Sequence, residues 1–199
     1  MLYTIGYATK PIVVFLSQLQ NHGVNVVADV RSVPYSKAFD DYRQDNLKTH
    51  LSSFGIRYVY LGGELGPRSK DDAHYNEAGQ VQFDRLMASD VFLSGIARLE
   101  NGVKHGYSIA LMCAEKDPLH CHRTLLIAHY IRHVSPANVR DLLTPISHIT
   151  HDGQLESQDE SEQRLIDEHT DQNDLFDEAE SVYLRAYKQR LLTYAYRRQ

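Results

Sequence analysis

The chain has 199 residues, of which 42% are hydrophobic and 24% are charged, and this apolar content is enough for the core of one ordinary domain. No apolar stretch approaches the roughly 18 residues that a membrane span needs, and the first residues lack the basic region of a signal peptide. Because there are also only two cysteines, we expect a cytoplasmic protein without membrane partners, whose thiols stay reduced.

Charge is distributed unevenly along the chain, whose net charge is −5. Residues 151–180 hold twelve acidic residues and one basic residue, whereas residues 181–199 hold five basic residues and no acidic one. An acidic run is typical of a solvated linker, and five basic residues beside it are a weak indication of nucleic-acid binding. We therefore predict a domain over residues 1–150, an acidic linker over 151–173 and a C-terminal helix over 174–199.

The first 150 residues contain short apolar or β-branched segments that are typical of buried strands. These predicted strands cover residues 2–5, 24–30, 56–61, 107–113, 139–143 and 147–149. Between them, apolar residues recur at the helical spacing. The predicted helices are one that Pro11 opens and Gly23 ends, and three more over 45–54, 81–99 and 123–134. A glycine-rich turn over 62–67 precedes a polar loop over 68–80 that is long for a connector.

Strands and helices that alternate at this spacing predict an α/β fold of three layers, in which a mostly parallel sheet carries helices on both faces. The C-terminal helix has one apolar stripe, formed by Leu175, Ala179, Val182, Tyr183 and Ala186. A stripe of this kind needs a partner surface. We expect it to dock on the main domain or on the second subunit of a homodimer.

Polar residues that follow strands are candidate site residues, because open parallel sheets bind ligands beyond the carboxyl ends of their strands. Four predicted strands are followed by such sets: Gly6 and Tyr7; Asp29, Arg31, Ser32 and Tyr35; Gly62, Gly63 and Glu64; and the segment from Cys113 to Arg123. In a parallel sheet these sets share one edge, so we expect them to converge.

The segment from Cys113 to Arg123 is the densest of these sets. Cys113 ends a predicted strand, and Cys121 stands where a helix begins. A helix N-terminus binds anions and lowers the pKa of a thiol, and His122 and Arg123 add hydrogen-bond donors and positive charge. Glu115 is placed to transfer protons or to pair with Arg123.

Several motifs resemble those of the uncharacterised DUF488 family. They are DVRSVPYS over residues 29–36, CAE over 113–115 and CHR over 121–123, with TIGY over 4–7, GIRY over 55–58 and LGG over 61–63. Members often carry His-Ser after the opening glycine, where this chain has Tyr7 and Ala8. A role that family members give to the imidazole or hydroxyl group at this turn is therefore not assigned to this chain. The resemblance implies an α/β domain over about residues 1–150 with the shared residues at one site. It implies no reaction, because the family has no established activity.

Each candidate residue also has a structural interpretation. Free cysteines are often buried in cores, so Cys113 and Cys121 are either reactive thiols or packing residues. Arg31 and Arg123 either bind an anion or form internal ion pairs, with Asp29 as the neighbouring carboxylate of Arg31. The two roles are compatible, because a carboxylate can hold an arginine in place for a ligand.

A metal site is a second interpretation, since Cys113, His120, Cys121 and His122 carry ligands that zinc accepts. Three features argue against it. Neighbouring residues 121 and 122 are expected to point in different directions on a helix, the paired CxxC spacing is absent, and Arg123 would repel a cation. We therefore assign no metal ligand and leave the cofactor unassigned.

The leading hypothesis is an enzyme that binds an anionic, phosphate-bearing substrate, such as a nucleotide or nucleic acid, at the carboxyl edge of the sheet. Its candidate catalytic residues are Cys121, Cys113, Glu115 and Asp29, and its candidate substrate-binding residues are Arg31, Arg123, His122 and Tyr35. The logic resembles thiol phosphatases and sulfurtransferases, although one residue between Cys121 and Arg123 is too short a spacing for those families. The alternatives are a non-catalytic module that binds a nucleotide or nucleic-acid phosphate, and a metal-binding protein that uses Cys and His.

Overall fold

A computed structural model of the chain describes residues 1–169 and 179–198. Its strands are β1 (Leu2–Gly6), β2 (Val26–Asp29), β3 (Arg57–Tyr60), β4 (Ile109–Cys113), β5 (Ile146–Ile149) and β6 (Leu155–Ser157). They form one sheet in the order β3-β2-β4-β1-β5-β6. The first five strands pair in parallel, and β6 joins the edge at β5 in the antiparallel sense.

The helices are α1 (Ile12–Asn21), α2 (Gln44–Ser53), α3 (Gly62–Leu65), α4 (Phe83–Met87), α5 (Asp90–Lys104), α6 (Ala137–Leu143), α7 (Gln158–Asp167) and α8 (Ala179–Tyr194). Between β4 and α6 the chain is π-helical over Arg123–Ala128 and Tyr130–Val134, and this segment is called the π-helix below. A short 3₁₀ turn, Pro118–His120, precedes it.

The sheet separates two apolar layers because successive strand residues point to opposite faces. On β4, Leu111 and Cys113 pack in the layer under α5, the π-helix and α8, whereas Ala110 and Met112 pack in the layer under α1 and α2. Helices thus cover both faces, which confirms the three-layer, mostly parallel α/β fold with a C-terminal helix.

The single helix predicted over residues 81–99 is two helices in the structure, α4 and α5. Ser89 breaks the run by capping the second helix, since its side chain accepts a hydrogen bond from the backbone N–H of Phe92. Serine is a favoured residue at this position because its hydroxyl satisfies an N–H that has no partner within the helix. The apolar spacing continues across the break and does not reveal it.

The prediction of a strand over residues 139–143 is wrong, because these residues belong to the helix α6. Pro136 precedes the helix with a φ of −56°, which is the value that proline brings to the start of a helix. Val139 and Leu143 are both buried and lie four residues apart, on the same helical face. Two apolar residues at this spacing fit a short strand or a short helix equally well by composition alone.

The segment 151–173 was expected to be an acidic linker, but it contains β6 and α7 as far as Asp167. The start of α7 is a capping box, in which the Ser157 hydroxyl accepts from the N–H of Glu160 and the Glu160 carboxylate accepts from the N–H of Ser157. Some of the acidic residues therefore have specific structural roles that a net charge conceals.

Arg164 of α7 shows a second such role. Its guanidinium forms ion pairs with Asp117, 2.9 Å away, and with Glu156, 3.0 Å away. These contacts tie α7 to the loop that follows β4. The domain limits proposed at residues 150 and 173 stay predictions.

The C-terminal helix α8 docks on the main domain. The ring of His129 on the π-helix stacks on Tyr187 at 3.9 Å between centroids, and its Nδ1 is 2.8 Å from the hydroxyl of Tyr183. Tyr187 also donates a hydrogen bond to the carbonyl oxygen of Leu125. Leu175 of the predicted stripe lies outside the described residues, and a homodimer through this helix stays a prediction.

The segment that follows α8 is held against residues 79–81. The side-chain amide of Gln80 donates to the carbonyl oxygens of Leu191 and Leu192, which lie near the end of α8, and the N–H of Val81 donates to the carbonyl oxygen of Tyr196. These bonds bring the end of the described chain to the carboxyl edge of the sheet. None of the helices in the described part of the chain has the length and apolar character needed to cross a membrane.

Gly62 and Gly63 provide a matched pair of substitutions at the start of α3. A Cβ atom on Gly62 would lie 1.8 Å from the carbonyl oxygen of Arg31, whereas one on Gly63 would meet only the ring of Tyr60, 4.0 Å away. We expect Gly62→Ala to lower the free energy of unfolding by about 1–3 kcal/mol, because the backbone must move. Gly63→Ala should change it little or raise it by up to about 1 kcal/mol. Urea unfolding measures both, and equal effects would contradict this packing.

Two buried histidines make the stability depend on pH. Burial lowers the pKa of His129 to about 3 and that of His148 to about 4, whereas an unfolded histidine titrates near 6.5. The unfolded chain therefore binds more protons between about pH 6.5 and pH 4, and stability is lost as the pH falls through this window. We expect a loss of about 1.4 kcal/mol per pH unit for each histidine.

Urea unfolding at several pH values measures this slope. The variant His129→Phe keeps an aromatic ring against Tyr187 and cannot titrate, so its slope should be about half that of the wild type. If the slope in this variant equals that of the wild type, His129 does not contribute to the pH dependence of stability.

Candidate functional site

The loops after β1, β2 and β4 meet at the carboxyl edge of the sheet around a cavity of about 530 Å³, called the site cavity below. Its lining residues are Tyr7, Arg31, Ser32, Val33, Tyr35, Lys37, Pro67, Arg68, Cys113, Ala114, Glu115, His120, Cys121, His122, Tyr194 and Tyr196. The glycine-rich segment after β3 lines a neighbouring cavity of about 710 Å³, which shares Ser32 and Arg68 with it. Six of the eight candidate catalytic and substrate-binding residues thus line the site cavity, whereas Asp29 and Arg123 are not among its lining residues.

Asp29 and Arg31 form a buried ion pair. The Nε and Nη2 atoms of Arg31 donate to the two carboxylate oxygens of Asp29 at 2.9 and 2.6 Å, and Nη1 donates to the carbonyl oxygen of Tyr42. Tyr58 donates a further hydrogen bond to Asp29. Burial opposes the charge of Arg31, but the hydrogen bonds and charge of Asp29 outweigh it and raise the pKa of Arg31. The internal ion pair, one of the two interpretations left open by the sequence, is therefore present.

Arg123 holds the loop that follows β4 from inside the protein. Its side chain is 1% exposed, and its Nη1 and Nη2 atoms donate to the carbonyl oxygens of Glu115 and Lys116 at 2.7 and 3.2 Å. These oxygens belong to the loop that follows β4, so Arg123 fixes the course of that loop. Glu115 itself is one of the residues that line the site cavity.

Cys121 and His122 converge, and the expectation that they diverge on a helix is wrong. Cys121 is not helical, since its φ of −134° and ψ of 143° are those of extended backbone. His122 is the first residue with helical dihedrals, before the π-helix begins. The backbone changes direction between the two residues, and both side chains reach the base of the site cavity.

Cys113, Cys121 and His122 form one compact group, called the Cys–His cluster below. The Nδ1 atom of His122 lies 3.6 Å from the sulfur of Cys113 and 3.8 Å from that of Cys121. The Nε2 atom of His122 lies 2.9 Å from the carbonyl oxygen of Val30. A carbonyl oxygen can only accept, so Nε2 carries a proton and Nδ1 is the ring nitrogen that faces the two sulfurs.

The two thiols of the cluster differ in acidity. Burial opposes a charge on Cys121, but a hydrogen bond from Cys113 and the positive charge of Arg123 outweigh it, so the pKa of Cys121 is well below that of an ordinary thiol. The hydrogen bond to Cys121 and complete burial raise the pKa of Cys113. Cys121 is therefore the more acidic thiol of the pair.

Glu115 is the acidic group of the site cavity. Partial burial and the neighbouring charge of Cys121 raise its pKa. A carboxyl group with a raised pKa close to a reactive centre is a candidate for proton transfer. Asp29 is committed to Arg31 and lies away from the cavity lining, so Glu115 is the better placed of the two.

Several residues that line the site cavity carry no signal of a site in the sequence. Arg68 belongs to the long polar loop over residues 68–80, and Lys37 belongs to none of the motifs. Tyr194 stacks on His120 with centroids 4.2 Å apart, and Arg68 lies over the ring of Tyr196 at 4.8 Å. No local pattern indicates that residues after α8 return to this edge, because tertiary hydrogen bonds place them there.

The acidity of Cys121 predicts selective labelling. In protein freed of metal by a chelator, we expect iodoacetamide to label Cys121 at a rate that changes little between about pH 7 and pH 9. An ordinary thiol with a pKa near 8.5 would slow about tenfold per unit below that value. Mass spectrometry identifies the labelled residue, and Cys121→Ser should abolish the labelling. Labelling of both cysteines with ordinary pH dependence would contradict the assignment.

A comparison with protein families matches residues 11–130 to the domain of unknown function DUF488. No curated protein and no solved structure matches the chain. The matched residues include the Cys–His cluster and the ion pair of Asp29 with Arg31, and they end before the segment that supplies Tyr194 and Tyr196. The match covers more than half of the chain, and the chain therefore belongs to the DUF488 family.

Proposed function

We propose that this chain is an enzyme that binds an anionic, phosphate-bearing substrate in the site cavity and acts on it at the Cys–His cluster. One observation carries the proposal: a group of two thiols and an imidazole lies at the base of a cavity whose rim has basic side chains. Clefts that combine reactive side chains with charged rim residues are typical of substrate sites.

The positive charge for the substrate comes from Arg68 and Lys37. The charge of Arg31 is balanced by Asp29 at 2.6 Å, and Arg123 is enclosed behind the loop. Arg68, by contrast, is exposed on the cavity rim and lies over the ring of Tyr196, while its backbone N–H donates to the hydroxyl of Ser32. A stacked guanidinium is held in place for planar, two-point recognition of a phosphate group.

The chemistry centres on Cys121, with Cys113 beside it in the cluster and Glu115 as the proton-transfer group. The sulfur of Cys121 and the Nδ1 atom of His122 are 3.8 Å apart, which is the arrangement of a nucleophile beside a base. Tyr35 is 56% exposed at the rim and is placed to contact the substrate.

A second candidate function is a non-catalytic module that binds a nucleotide or single-stranded nucleic acid. The aromatic residues of the rim, Tyr35, Tyr194 and Tyr196, favour it, because bases stack on aromatic side chains. Cys121→Ala distinguishes the two functions. A binding module should keep its affinity for AMP or a short single-stranded DNA, whereas an enzyme should lose turnover of phosphate esters.

Arg68 and Arg57 form a matched pair for testing the anion site. Both are exposed and lie over a tyrosine ring, Arg68 over Tyr196 and Arg57 over Tyr107, but Arg57 is at the opposite edge of the sheet. We expect Arg68→Ala to weaken binding of inorganic phosphate and AMP about tenfold or more, because a charged hydrogen bond is lost. Arg57→Ala should have no effect.

Isothermal titration calorimetry measures these affinities, and Lys37→Ala should act in the same direction as Arg68→Ala. The proposal fails if the wild-type protein binds none of phosphate, AMP and a short single-stranded DNA. It also fails if the two arginine variants bind equally well.

A further inference from the structure

We infer that the Cys–His cluster is a binding site for a soft divalent transition-metal ion of the zinc type, with a fourth coordination position open to the site cavity. This inference rests on the proposed function for the substrate and its place in the site cavity. It changes the reacting group, because a Cys121 sulfur bound to an ion would no longer be free to act as the nucleophile and water at the open position would take that part.

The two sulfur–nitrogen distances within the cluster are close to the edges of a metal tetrahedron. With Zn–S bonds of about 2.3 Å and a Zn–N bond of about 2.0 Å, sulfur and nitrogen ligands lie about 3.5 Å apart and two sulfur ligands about 3.8 Å apart. In this chain the Nδ1 atom of His122 lies 3.6 and 3.8 Å from the two sulfurs, and no two ligand atoms of the cluster are farther apart than 4.8 Å. An ion can therefore contact all three atoms once the cysteine side chains rotate to bring the two sulfurs closer by up to about 1 Å.

His122 is oriented as a metal ligand would be. Metal-binding histidines almost always donate their second ring N–H to a carboxylate, a backbone carbonyl or water, which fixes the tautomer and the ring orientation. Here Nε2 donates to the carbonyl oxygen of Val30 at 2.9 Å, and this oxygen immediately follows β2. The lone pair of Nδ1 thus points between the two sulfurs without a rotation of the ring.

The charge of Arg123 does not oppose the ion. The guanidinium of Arg123 is turned toward the carbonyl oxygens of Glu115 and Lys116. Two cysteine thiolates also neutralise the two positive charges of the ion, so Arg123 faces a group without net charge. The objection raised from the sequence alone is removed by this geometry.

The number of ligands favours a catalytic site. Structural zinc sites use four protein ligands, whereas catalytic sites use three and keep a position for water or substrate. Among the described residues, the cluster contains three ligating side chains, and all three line the site cavity. Two Cys and one His beside a carboxyl group that is not a ligand are also the donor set of zinc enzymes that activate water. Glu115 is the carboxyl group available for this role.

A bound ion of this kind would supply a Lewis acid and a water of lowered pKa at the base of the cavity. The residues of the chain would then divide the remaining tasks. Arg68 and Lys37 hold the anionic substrate at the rim, and Glu115 holds or transfers the proton.

Titration of the metal-free full-length protein with Co²⁺ tests the inference. We expect one ion per chain, with the visible spectrum of tetrahedral cobalt and a near-ultraviolet band from thiolate-to-cobalt charge transfer. Cys113→Ser and Cys121→Ser should each weaken binding at least about 100-fold, since even loss of an outer partner of a ligand costs 10–100-fold. His122→Gln should have a similar effect.

His120→Gln is the matched control. His120 lies next to Cys121 in the chain and lines the same cavity, but it stacks on Tyr194 and is not part of the cluster. This variant should bind Co²⁺ with the wild-type affinity. Should a cysteine variant fail to fold, the wild-type protein still provides a test, because Zn²⁺ should protect Cys121 from iodoacetamide.

The inference is overturned if the wild-type protein binds neither Co²⁺ nor Zn²⁺, if the charge-transfer band is absent, or if His120→Gln weakens binding as much as the cluster variants. Phosphate binding without metal binding would overturn the metal site and leave the proposed function as a thiol enzyme. Metal binding without any binding of phosphate, AMP or single-stranded DNA would support the metal site and overturn the proposed function.

Discussion

The loop that follows β4 depends on one buried guanidinium, and the site depends on that loop. Arg123 donates from its two terminal nitrogens to the carbonyl oxygens of Glu115 and Lys116, two residues of this loop. The same loop presses on β1, where a Cβ atom at Gly6 would lie 1.8 Å from the Glu115 oxygen. Arg123 and β1 thus hold this loop from two sides. The chain turns back within it, so that Cys113 at the start of the loop faces Cys121 at its end.

The partners of Arg31 and Arg123 explain why these two arginines, which follow strands in the sequence, do not identify the charge that binds a ligand. An arginine beside a buried strand end must find a partner within the protein, because an unpaired buried charge is costly. Arg31 finds Asp29 and Arg123 finds two carbonyl oxygens, and both then stabilise the architecture of the site. Charge that remains available for a ligand has to sit on a rim exposed to water, where Arg68 lies.

The parts of this protein that follow from local pattern were predictable from its sequence. The run from Val26 to Ala28 is apolar because both of its faces are buried, and the alternation of strands and helices indicates the three-layer sheet. The Cys–His cluster was only partly predictable. Its members could be named, but their convergence depends on the extended backbone at Cys121, which a helical reading of the segment excludes. The helix α7 was concealed by its acidic composition, although its Ser157 and Glu160 carry the capping-box pattern.

The site has two parts of different origin along the chain. The cluster and its supports lie within residues 11–130, the part that matches the family, whereas Tyr194 and Tyr196 come from the segment after α8. That segment reaches the cavity because Gln80 and Val81 bond to it, and α8 itself is anchored by the stack of His129 on Tyr187. Change in the C-terminal segment would therefore reshape the rim while the cluster keeps its geometry. The reacting groups and the surface that selects the substrate are thus structurally separable in this fold.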